Sequence, residues 1–321
     1  MSTPPALRLG VIGVGHLGRH HARLASSVPG ARLAAVADLH VDRAATAAAA
    51  SGALVTANAN DLLGEVDAVV VAVPTAAHLA VARPFLERGI HVLVEKPMAA
   101  SLAEADELIA LAASHGAILA VGHSERFNPA IAAALPLLRQ PRFIEVHRLS
   151  AFPERSLDID VVFDVMIHDL DIISAVDRSD VVSVEAVGIP VLSPRIDIAN
   201  ARIKFASGCI ANLTASRISR EQVRKVRFFQ PDSYISIDYA AGEVEAWRLV
   251  PREGARPSIE GGPVTVVRED TLSRELADFA AAIRDRRPPL VPGEDGRRAL
   301  VLATRVAAAI DENAWPEPAR T

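Results

Sequence analysis

LRLGVIGVGHLGRHH, residues 7–21, is an apolar run that ends among glycines and passes directly into a helical pattern. A buried strand, a glycine turn and a helix in that order open a dinucleotide-binding unit. Gly13, Gly15 and Gly18 hold the G-x-G-x-x-G spacing, a weak signal alone because glycines recur in ordinary strand-to-helix turns. The context strengthens it: Asp38 closes the next apolar run, at about the twenty-residue offset the fingerprint requires. Gly13 permits the tight turn, Gly15 lets the backbone approach a pyrophosphate, and Gly18 lets helix and strand lie close. The helix entrance at His16 and Leu17 supplies amide donors to phosphates. Asp38 would accept from ribose hydroxyls and repel a 2′-phosphate, and Leu39 and His40 offer no arginine to bind one. The expected cofactor is therefore NAD rather than NADP. The competing readings are a Rossmann-like unit with no nucleotide, or one holding FAD.

Outward from this stretch, apolar runs alternate with helical patterns: ARLAAVAD, VDAVVVAVP, IHVLVEKP and AILAVGH are four further strands. SLAEADELIALAASHG reads as a helix with a capping box of Ser101 and Glu104. Strands this apolar, separated by helices, imply a parallel sheet covered on both faces. Near residue 123 the pattern changes to runs such as VVSVEAVGIPV, IANARIKFAS and KVRFFQPDSYISIDY, several alternating with period two. The expected fold class is α/β. A Rossmann parallel sheet occupies 1–122, and an α+β domain on a mostly antiparallel open sheet occupies 123–321, with C-terminal helices able to return to the first domain. The chain of 321 residues has net charge −5 and a single cysteine, Cys209. That balance gives no sign of nucleic acid, no run suggests a membrane span, and no secretory signal opens the chain, so a cytoplasmic setting is expected.

Two further segments carry chemistry. In VEKPMAAS, Glu95 and Lys96 close a strand at the sheet end where open α/β folds bind ligands. Lys96 would favour a developing alkoxide, although from this segment alone a surface ion pair with Glu95 is the simpler reading. In VFDVMIHDLDI, residues 162–172, Asp164, His168 and Asp171 stack on one face of a mostly apolar helix. That cluster reads as a buried polar knot, a metal site or an acid–base pair. Without cysteines or an H-E-x-x-H pattern, no metal is expected. The acid–base reading makes His168 the base and Asp164 its orienting carboxylate. Arg126 and Asn128 of SERFNPA, with Arg148 and Arg155, suggest an anionic substrate, because guanidinium forks suit phosphate or carboxylate. His147 and Arg148 lie on opposite strand faces, so only one of them can face a site.

The glycine fingerprint, EKP and an Asp-x-x-x-His on the first long helix of a β-rich domain resemble the Gfo/Idh/MocA family, nicotinamide-dependent oxidoreductases of sugars and cyclitols. VPTAAH and the final SRELADFAAAIRD…VPGEDGRRALVLATRVAAAI extend the resemblance over nearly the whole chain. It implies cofactor contacts from Pro74, Thr75, His78, Glu95 and Lys96, and catalytic roles for Lys96, Asp164 and His168. A sugar hydroxyl would lie between His168, taking its proton, and Lys96, which stabilises charge or is itself the base. The resemblance also implies a homodimer or homotetramer made through the open sheet. Family members often carry Gly-Gly before the Asp-x-x-x-His; here that place holds DIDVVF, so the loop entering the helix differs. VGHSERFNP, HRLSAFPERSLDIDVVFDVMIHDLDI and ASRIS resemble the branch that oxidises the 3-hydroxyl of UDP-N-acetylglucosamine for transamination in lipid A precursor synthesis. Other sugars, cyclitols and dihydrodiols remain as substrates. A non-catalytic NAD and sugar sensor, or a flavin enzyme, are the readings outside this class.

Overall fold

The computed structural model describes residues 5–152, 159–254 and 256–313. It divides the chain into two units, Met1–Phe127 with Glu269–Arg297 and Asn128–Arg268 with Arg298–Thr321. The first begins with β1 (Leu7–Ile12), α1 (Gly18–Ala25), β2 (Ala31–Ala37), α2 (Val41–Ala48), β3 (Leu54–Thr56) and β4 (Ala68–Val71). It continues with α3 (His78–Leu86), β5 (His91–Glu95), α4 (Leu102–Ser114) and β6 (Leu119–Gly122). The second carries α5 (Pro129–Ala134), β7 (Phe143–Leu149), α6 (Ile167–Val176), β8 (Val181–Ile189), β9 (Ile198–Phe205) and β10 (Ile210–Ser216). β11 (Val223–Phe229), β12 (Ser233–Asp238), β13 (Glu243–Val250) and β14 (Ser258–Val264) complete its sheet, and α7 (Thr271–Asp285) and α8 (Gly293–Glu312) end the described chain.

The six strands of the first unit are parallel, in the order β3-β2-β1-β4-β5-β6. β4 is four buried residues, AVVV, as expected of a strand covered on both faces. The sequence pattern anticipates five of these strands. β3 escapes it because three half-buried or exposed residues at a sheet edge carry no period. α4 starts as expected: Ser101 accepts from the Glu104 amide at 3.2 Å. Glu104 reaches back one residue further than in the usual capping box, accepting from Ala100 N at 3.0 Å. α7 belongs to this unit, where Leu276, Phe279 and Ala280 join a core with Leu24, Ala25 and Leu33. The turn Ser124–Phe127 touches α7, so the first unit extends past residue 122.

The second unit is built on an eight-stranded sheet, β14-β13-β12-β11-β7-β10-β9-β8, antiparallel except where β7 meets β10. β9 alternates strictly, with Ala199, Ala201, Ile203 and Phe205 buried and their neighbours outside. That inner face shares one core with Ile167, Leu170 and Ile173 of α6 and with Leu302 and Val306 of α8. The run KVRFFQPDSYISIDY, read as one strand, divides into β11 and β12 because Gln230 N–H turns back to the Ser233 carbonyl. Val187, Ile189, Trp247, Leu249 and Ile259 are exposed.

Candidate active site

In the first unit the expected cofactor residues gather at the carboxyl ends of the strands. Gly13 has φ +81°, and a Cβ there would meet the Ala72 carbonyl oxygen at 2.7 Å. At Gly18 a Cβ would sit 1.8 Å from the Gly13 carbonyl oxygen. Both positions exclude every larger side chain, whereas a Cβ on exposed Gly15 would meet nothing within 4 Å. Gly15 is thus bare backbone beside open space at a helix entrance, the surroundings a pyrophosphate needs. His16 and Leu17 are exposed in the same turn, and the His16 ring nitrogen Nδ1 lies 3.4 Å from Arg19 Nη2. Asp38 is held by two amides: Val14 N–H donates to Oδ2 and His40 N–H to Oδ1, each at 2.8 Å. These bonds fix the carboxylate beside the glycine turn and leave it further lone pairs for ribose hydroxyls. The residues present therefore fit a dinucleotide.

Pro74 is exposed and Thr75 half-buried in the turn after β4. His78 faces inward, 1 % exposed, with ring nitrogens 3.0 Å from the Pro97 carbonyl and 2.9 Å from the Val73 carbonyl. It ties the turn after β4 to the segment after β5. Burial pushes its pKa down, so the neutral ring donates to one carbonyl only. The peptide Lys96–Pro97 is cis. Glu95 is buried and its carboxylate meets His21 Nε2 at 2.7 Å, while its other oxygen lies 3.3 Å from Lys96 N. His123, beyond β6, is 1 % exposed; burial first, then the positive charges of Lys96 and Arg126, hold its pKa down at about 3. His21, His123 and Glu275 were not anticipated, since single polar residues inside helical or strand patterns carry no distinguishing spacing.

In the second unit, a π-helical turn, Val162–Met166, leads into α6, with Ile167 N–H donating to the Val162 carbonyl. Such wide turns often mark functional positions. Asp164 lies in the turn and His168 in the first turn of α6; both are half-buried. Asp171, expected on the same face, is wholly buried. The half-buried pair has the access that proton transfer needs; Asp171 does not.

The arginines mostly serve the interior. Arg148 is 5 % exposed, bonded to both oxygens of Asp169 at 2.7 and 2.8 Å, and lies 5.2 Å from the Tyr239 ring centre. The alternation of His147 and Arg148 holds, and Arg148, named as a candidate anion ligand, is the one that turns inward, into a buried ion pair. A guanidinium can be buried only when so paired. Arg126 is likewise 6 % exposed, near Asp295 Oδ2 at 3.5 Å. Arg217 is buried against Asp197 at 2.9 Å. Asn128 caps α5, accepting from Ala130 N at 3.0 Å. Arg155 lies outside the described residues.

The parallel order 3-2-1-4-5-6, with a glycine turn and an acid at its carboxyl edge, defines a Rossmann dinucleotide-binding protein. Residues 7–123 match the family model described as "Oxidoreductase family, NAD-binding Rossmann fold". The UDP-N-acetylglucosamine 3-dehydrogenase of Acidithiobacillus ferrooxidans is 40% identical over 313 residues, 95% of this chain and 97% of that enzyme. A solved structure of that enzyme superposes with TM-score 0.89 at 38% identity, covering 96% of this chain and 98% of the other. An inositol 2-dehydrogenase of Rhizobium meliloti is 27% identical over 95% of this chain and 97% of that enzyme. The chain belongs to the Gfo/Idh/MocA family of oxidoreductases, and its cofactor is NAD. No helix of the described residues is long and apolar enough to cross a membrane.

Proposed function

We propose that this protein is an NAD-dependent dehydrogenase that oxidises the 3-hydroxyl of UDP-N-acetylglucosamine. The observation that carries the reading is the 40% identity, over 95% of this chain, to the Acidithiobacillus enzyme of that activity, against 27% over the same share to the Rhizobium meliloti inositol dehydrogenase. Bound NAD supplies a hydride acceptor. The backbone at Gly15 and the helix entrance holds its pyrophosphate, in a turn that Gly13 and Gly18 shape, and Asp38 holds its adenosine ribose. His168 takes the proton of the sugar hydroxyl, Asp164 orients the imidazole, and Lys96 stabilises negative charge on that oxygen. The working form is a cytoplasmic homo-oligomer joined through the outer face of the eight-stranded sheet, where Val187, Ile189 and Trp247 are exposed.

The test is absorbance of NADH in protein mixed with NAD, UDP-N-acetylglucosamine and a transaminase or ketone trap. Growth of that band is expected. His168→Asn should lower turnover by about 10²–10⁴-fold, the usual contribution of a general base, with NAD binding unchanged. A flat trace in protein that binds NAD removes this substrate and sends the search to free sugars and cyclitols. Unaltered turnover in His168→Asn removes the assigned base.

A further inference from the structure

One group in the first unit has no part in the chemistry above. His21 of α1, Glu95 at the end of β5 and Glu275 of α7 are 0 %, 6 % and 2 % exposed. Their ligand atoms lie within 4.8 Å of one another. His21 Nε2 meets Glu95 Oε1, whereas among the described residues neither oxygen of Glu275 has a hydrogen-bond donor and His21 Nδ1 has no partner. The site is made to measure on one side: at Gly122, paired with Glu95 across the sheet, a Cβ would come within 2.9 Å of Glu95 Oε2.

Two ionised carboxylates and one imidazolium would leave a net negative charge without solvent, an expensive arrangement. A proton on Glu275 removes that charge and gives a donor to a carboxyl group that otherwise offers only acceptors. Burial, then the charges of Glu95 and Asp278, drive Glu275 in that direction. Asp278, one turn along α7, has its own partners in Arg287 and the Leu290 amide, each at 2.7 Å. Arg126, in the turn that touches α7, is near Asp295.

We propose that Glu275 is a positioning residue of the dehydrogenase, sharing a proton with Glu95 so that a His21–Glu95–Glu275 network fixes the strand end from which Lys96 projects. The link to Lys96 is short: Glu95 Oε2 lies 3.3 Å from its backbone nitrogen. Small displacements of a reacting group are expensive, about 10²-fold for 1 Å. The role rests on the reading of Lys96 given above; the shared proton does not.

Two measurements separate them. Infrared difference spectra of Glu275→Gln against the wild type, both labelled with carbon-13 glutamate, should show the carbonyl band of one protonated carboxyl at neutral pH, absent in the variant. Steady-state kinetics should show kcat of Glu275→Leu reduced about 10- to 100-fold with the sugar KM little changed. Glu275→Gln, which keeps the shape and a donor, should retain most activity. A missing protonated band overturns the shared proton. A stoichiometric divalent cation in the purified protein, lost in Glu275→Gln, overturns it as well. Wild-type kcat in folded Glu275→Leu overturns the positioning role. Should the wild type oxidise no sugar at all, the substrate assignment fails and the infrared result still decides the network.

Discussion

Alanine at Gly18 and at Gly15 should separate folding from cofactor binding. The Gly18 methyl would lie 1.8 Å from the Gly13 carbonyl oxygen, where Cβ contacts essentially never fall below 3.0 Å. Something must move by the difference, about 1.2 Å, and the obstacle is backbone, with the Ala72 Cβ at 3.3 Å closing another direction. Overpacking of this kind costs about 1–3 kcal/mol, and a rigid obstacle favours the upper end. At about 2–4 °C per kcal/mol for a unit of this size, the melting point should fall roughly 6–12 °C. The Gly15 methyl enters open space, so Gly15→Ala should melt within about 1–4 °C of the wild type, since a tolerated Gly→Ala change is worth only ~0.4–1 kcal/mol. It should bind NAD more weakly, because its methyl occupies the approach to the helix entrance. Loss of one charge-assisted hydrogen bond, ~1.5–3 kcal/mol, corresponds to about 10- to 150-fold in Kd. Calorimetric melting without cofactor and titration with NAD read both quantities. A Gly18→Ala protein that melts like the wild type, or a Gly15→Ala protein that binds NAD undiminished, refutes the steric argument.

Arg148→Met should destabilise by about 3–5 kcal/mol because it strands Asp169, and the double change Arg148→Met with Asp169→Leu should recover much of that; urea midpoints decide, and a double variant worse than the single contradicts the reading. His123 titrates at about 3 when folded against 6.5 otherwise. The unfolded chain therefore binds the extra proton in between, and stability falls as pH drops from about 6.5 towards 3. His123→Asn should flatten that slope, and an unchanged acid profile would count against it. Burial pushes the Cys209 thiol up to about 12, so the native protein should resist thiol reagents at neutral pH and react only on unfolding; rapid native labelling would contradict this.

The first unit was legible because its signals are local. Apolar strands, a glycine turn and an acid at a set interval each occupy a few residues. What escaped depended on distant partners. Glu275 becomes unusual only because α7 brings it to His21 and Glu95, far off in the chain. Arg148 looked like an anion ligand because alternation says that one of two neighbours faces inward, not which; Asp169 on α6 makes it the arginine. β14, SIEGGPV, carries no strand signal in the sequence because glycine and proline are poor strand formers. Yet Gly261 is what allows it to pair, since a Cβ there would fall 2.0 Å from the Ala246 carbonyl oxygen.

The return of Glu269–Arg297 to the first unit also sets an order of events during synthesis. The 141 residues from Asn128 to Arg268 intervene, which at about 5–20 residues per second takes on the order of 7–30 s to translate. Throughout that interval the nascent sheet lacks Leu276 and Phe279, and the apolar surface they cover on Leu24 and Leu33 has no native partner. The half of the protein that leaves the ribosome first is therefore closed almost last.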